Sequence, residues 1–116
     1  MIVENRRITF SAAALREAVK LYRDLYPQKQ PMGTLGRIWL RNQSPVLLEV
    51  SIQSAGATQF REVQMGESEV GGMLILYCRQ MKIPLPRHCT KAIEGHGENI
   101  VLTVAKSMPV EHRAAG

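Results

Sequence analysis

"TFSAAALREAVKLYRDLYP", residues 9–27, carries the clearest structural signal in the chain. Leu15, Ala18, Val19, Tyr22 and Leu25 recur at the spacing of one helical face, while Arg16, Glu17, Lys20, Arg23 and Asp24 fall outside it. Ser11 suits the N-cap, where its hydroxyl accepts a hydrogen bond from a first-turn amide that lacks a helical partner. Phe10 and Leu15 then take the two positions of a hydrophobic staple. Pro27 pushes Tyr26 out of helical angles, so the pattern predicts a helix over 11–26. Its apolar stripe requires a second layer to cover it.

Strand patterns supply that layer. "LGRIWLRNQ" (35–43) and "PVLLEVSIQSA" (45–55) read as a hairpin. Ile38 and Leu40 share a face with Val46, Leu48, Val50 and Ile52 only if the turn holds an odd number of residues. A three-residue turn at Gln43, Ser44 and Pro45 would pair Leu40 with Leu48, leaving Arg37, Trp39, Arg41, Leu47 and Glu49 opposite. "ATQFREVQM" (57–65) is a third strand, and the parity of Phe60 against Val63 and Met65 predicts a bulge or an edge position.

A second helix follows in "SEVGGMLILYCRQMK" (68–82), with Ser68 as its cap and Val70, Met73, Leu74, Tyr77, Cys78 and Met81 as its stripe. Gly71 and Gly72 suggest a close backbone approach. Residues 89–95 and 99–106 form a last hairpin about His96 and Gly97, with Ile93 beside Ile100. The stretch 100–104 is apolar on both faces, as in a central or doubly covered strand.

With a strand before the first helix, the order is β-α-β-β-β-α-β-β. This predicts an α+β fold: a single two-layer domain over 1–106, with a mainly antiparallel sheet of about six strands and both helices on one face. The alternative is a ferredoxin-like split βαβ unit with an extra hairpin. Residues 107–116 lack periodicity and are expected to fray.

Composition narrows function more than it names it. The chain has 116 residues and a formal charge of +5, with 45% apolar and 22% charged residues, which fits one globular core. No targeting segment or membrane-spanning stretch is read, and Cys78 and Cys89 give no reason to expect secretion, so a cytoplasmic location is expected. The two cysteines lie eleven positions apart without a second close ligand pair, which argues against structural zinc. "GESEVGG" (66–72) begins a helix with two glutamates and no lysine, the wrong charge for phosphate. No catalytic constellation is visible, and no cofactor or metal is expected.

Two candidate surfaces remain. On the sheet face away from the helices, Arg37, Trp39, Arg41 and Leu47 mix apolar and charged groups, as an association surface does. This leads to a small non-catalytic protein-interaction domain, adaptor or regulatory, whose partner is another protein or a second copy in a homodimer. The rival is nucleic acid, held by Arg/Lys clusters on the helices: Arg16, Lys20 and Arg23, and above all Arg79, Lys82, Arg87 and Lys91 as polyanion contacts. The latter group brackets Pro84-Leu85-Pro86, which stiffens the exit from the second helix.

Overall fold

The structure, a computed structural model, describes residues 2–29 and 33–108. Six strands and two helices appear in the expected order: β1 (Ile2–Phe10), α1 (Ala12–Leu25), β2 (Thr34–Gln43), β3 (Val46–Gln53), β4 (Phe60–Met65), α2 (Glu67–Gln80), β5 (Thr90–His96) and β6 (Asn99–Met108). All strand pairs are antiparallel, so the class is α+β. The strands are divided between two three-stranded sheets, ordered β1-β6-β5 and β2-β3-β4, rather than continuous in one.

One core unites them. Leu15, Val19 and Tyr22 of α1 and Val70, Leu74 and Cys78 of α2 join Leu48, Val50 and Ile52 of β3 and Ile100, Leu102 and Val104 of β6 in a single buried cluster. The helices therefore cover the inner side of both sheets. The sheets themselves meet where β2 crosses β5. A Cβ on Gly95 would lie 2.9 Å from the Gln43 Cα, so only glycine admits this backbone approach.

Helix α1 follows its sequence closely. The Ser11 hydroxyl accepts a hydrogen bond from the Ala14 amide at 3.2 Å, and Tyr26 is the C-cap. Phe10 and Leu15 are both buried, and Phe10 also meets Tyr77 edge-on at 6.3 Å between ring centroids. Leu25 departs from the expected stripe. It is 49% exposed because α1's last turn extends past the core.

Helix α2 is anchored by acids rather than by Ser68. Its N-cap is Gly66, which offers no side-chain acceptor, and Ser68 lies inside the first turn. Glu67 accepts the Val46 amide at 3.0 Å, and Glu69 accepts the Tyr22 hydroxyl at 2.7 Å. Burial, together with the Glu69 hydrogen bond, pushes the Tyr22 hydroxyl up to about 12. Neither Gly71 nor Gly72 is needed for close approach: a Cβ on Gly71 would touch only Ile93 at 4.0 Å, and one on Gly72 nothing within 4 Å. Met81, the expected last member of the stripe, is the C-cap and is exposed.

The expected Leu40–Leu48 pairing is present, reached by a different route. Gln43 pairs with Val46 across a two-residue turn at Ser44 and Pro45, and a bulge between Leu40 and Asn42 restores the parity. β4 is an edge strand in regular register with β3, so Phe60 simply points to the outer face. It covers Gly36, where a Cβ would lie 2.6 Å from the Phe60 ring. The last hairpin turns at Gly97 and Glu98, one residue later than expected. His96 pairs with Asn99, and Ile93 faces Leu102. Ile93 still shares a face with Ile100, because the shift moves its partner by two positions.

β6 is the central strand of its sheet, as its apolar faces suggest, and it continues to Met108, beyond the expected limit at residue 106. Of the stretch 107–116 expected to fray, 109–116 lie outside the described residues. No helix among the described residues is long and apolar enough to cross a membrane.

Candidate functional site

The outer face of the β2-β3-β4 sheet gathers the first candidate group. Strand register arranges it in cross-strand rows, with Trp39 opposite Glu49 and Glu49 opposite Gln64. Ser51 lies opposite Glu62, and the Ser51 hydroxyl accepts the Arg37 amide at 2.9 Å, which places Arg37 in the same row. The Arg37 guanidinium sits over the Trp39 ring at 4.6 Å, a cation–π contact. Leu47, half-buried, lies on the same face beyond them.

A charge is buried in the middle of this face. Glu49 is only 3% exposed, and Arg41 approaches its Oε2 at 3.4 Å. That oxygen has no hydrogen-bond partner among the described residues. Glu62 shares a hydrogen bond with the Glu49 carboxyl, and this contact, with the charge of Glu49, holds the Glu62 carboxyl above its ordinary value of 4.5. Arg41 pulls weakly in the other direction. Arg37 and Trp39 also border a cavity of about 300 Å³ beside Ala12, Leu15 and Glu98. Val101 of β6 is 5% exposed and faces away from the helices in the second sheet.

The second candidate group converges completely. Arg79, Lys82, Arg87 and Lys91 all line one groove of about 690 Å³, with His88 among them and Ile75, Ile83 and Leu85 as its apolar walls. Its shape follows from how α2 ends. The Ile83 amide reaches the Cys78 carbonyl at 2.8 Å and the Lys82 amide reaches Arg79 at 3.1 Å, a Schellman closure with Lys82 in the left-handed region at φ 57°. His88 is left-handed too, at φ 53°, so two non-glycine residues turn the chain at either end of the Pro84-Leu85-Pro86 segment. Arg6 donates to the Pro84 carbonyl at 2.7 Å and ties this segment to β1.

The helix-one cations do something else. Arg16 donates to the carbonyls of Gly36 (2.6 Å) and Leu35 (3.1 Å), and Arg23 donates to that of Gly33 (2.6 Å). Lys20 pairs with Glu17 at 3.4 Å. The cations expected to form a basic stripe on α1 thus already have partners within the chain, Lys20 on the exposed surface.

The cysteines are free thiols in separate surroundings. Cys78 is fully buried and burial pushes its thiol up, while Cys89 donates to the Pro86 carbonyl at 2.9 Å. His88 lies in a groove whose lining contains no carboxylate, and His96 is an exposed strand residue. Sequence reasoning missed Glu49 and Glu62 as a pair. Their two-residue offset across β3 and β4 becomes visible only once the register is known.

No protein family, curated protein or solved structure matches the chain.

Proposed function

We propose that the protein is a small non-catalytic protein-interaction domain that self-associates through the outer face of the β2-β3-β4 sheet. The observation that supports this best is the charge polarity of that face. Arg37, stacked on Trp39, lies on β2, and Glu62 lies on β4 in the same cross-strand row. A two-fold axis parallel to β3 brings β2 of one copy over β4 of the other, so Arg37 meets Glu62 twice in one self-complementary contact. Tryptophan and arginine are also the residues most enriched at energetic centres of interfaces. Two free thiols fit a reducing compartment, and the cytoplasm is the proposed location.

Light scattering across a dilution series tests this. The expected result is a dimer that Trp39→Ala converts to monomer. Arg37→Glu alone should weaken it, and Arg37→Glu with Glu62→Arg should restore it. A monomer at every concentration, or a double variant no better than the single, would overturn the proposal.

A further inference from the structure

We infer that the groove at the end of α2 is a binding site for nucleic acid, gripped by its phosphodiester backbone and without selection among bases. Four cationic side chains, from a helix end (Arg79, Lys82), a loop (Arg87) and a strand (Lys91), line a single concavity. None of the four is ion-paired among the described residues, and no acid contributes to the lining. Clefts lined by one sign of charge focus potential on their contents. The negative pole of α2 opposes an anion there by only about half a charge, which four cations outweigh.

The backbone points the same way. Lys82 and His88 hold left-handed conformations that glycine adopts without steric cost, yet both positions carry side chains that face this groove. Meanwhile the acids of α2 are engaged at its far end, Glu67 with the Val46 amide and Glu69 with Tyr22, leaving the groove end wholly basic.

The lining also identifies the ligand class. It contains no Phe, Tyr, Trp, Asn or Gln, so it offers no stacking ring apart from His88 and no amide to read a base edge. Its Arg and Lys donors fit phosphate oxygens, which every nucleotide presents. A concave, walled groove suits a strand better than the plane of a bilayer, which favours nucleic acid over anionic lipid.

The test is fluorescence anisotropy of a labelled, random-sequence single-stranded oligonucleotide titrated with the full chain across a salt series. Four neutralised phosphates give a slope of log affinity against log salt of about −2.8, at roughly −0.7 per contact. Arg79→Gln with Arg87→Gln should lower that slope by about 1.4 and weaken binding at low salt by about tenfold or more. The control, Arg7→Gln with Arg61→Gln, removes the same charge from exposed positions outside the groove and should leave the slope unchanged. Circular dichroism establishes that each variant is folded. Three results would overturn the inference: no salt-sensitive binding at low ionic strength, an equal loss in the control, or binding to phosphatidylglycerol vesicles but not to the oligonucleotide. Because the groove lies apart from the sheet face, a monomeric protein that still binds oligonucleotide would sink the dimer proposal alone.

Discussion

The sheet face and the groove hold the same kind of residue in opposite circumstances. On the sheet, Arg41 is engaged by the buried Glu49, while Arg37 rests on the Trp39 ring with no acid beneath it among the described residues. In the groove, Arg79, Lys82, Arg87 and Lys91 line a hollow that contains no acid. The contrast teaches that a count of cations says little about binding. What matters is whether the fold has already spent them.

Stability measurements sharpen that contrast most. Removing Arg41 leaves Glu49 buried beside Glu62 without its counter-charge, the situation in which breaking a pair is costly. Arg41 is itself 58% exposed and screened by solvent, which reduces the loss, so Arg41→Ala is expected to cost about 2 kcal/mol in urea denaturation. Arg87→Ala should stay within about 0.5 kcal/mol, as surface changes usually do. Equal losses would erase the distinction between the two regions.

A smaller effect separates stability from binding inside the groove. Lys82→Gly relieves a left-handed side chain at the Schellman position and is offset in part by the greater freedom of glycine when unfolded. The expected net is a gain of about 0.5–1 kcal/mol, accompanied by weaker oligonucleotide binding. A variant that gains stability without losing affinity would show that this lysine makes no contact with the oligonucleotide.

The smallest effect concerns pH. The folded carboxyl of Glu62 is raised by its hydrogen bond to Glu49, so the folded state holds this proton more tightly than the unfolded chain does. The contribution to stability is therefore fully present below about 4.5, the ordinary value, and is lost as pH rises through the raised folded value. Denaturation midpoints of Glu62→Gln, followed upward from that pH, should fall less steeply than those of the parent chain. Parallel curves would dissociate Glu62 from Glu49.

Local chemistry explains what the sequence revealed. Ser11, Phe10, Leu15 and Pro27 define α1 within a few neighbouring residues, and strand parity sets Leu40 on the face of Leu48, although the bulge that achieves the pairing in place of a three-residue turn left no local sign. The grouping of Arg79, Lys82, Arg87 and Lys91 was equally visible, because all four flank one helix end and one proline-stiffened turn. What stayed hidden depends on distant partners. Nothing near Gly95 signals that Gln43 will cross it and divide the strands between two sheets. Ser68 looks like a cap until Glu67 finds Val46, and Arg16 looks solvent-facing until β2 presents its carbonyls.

Those last contacts have a further consequence. Among the described residues β2 borders its sheet and pairs only with β3, so its outward carbonyls are a template on which another chain's extended segment can grow. Two guanidiniums from α1 seal that template at Gly33, Leu35 and Gly36. The arginines thereby act as a guard against ladder-like aggregation, and a chain stripped of both would be expected to lose solubility before it lost its shape.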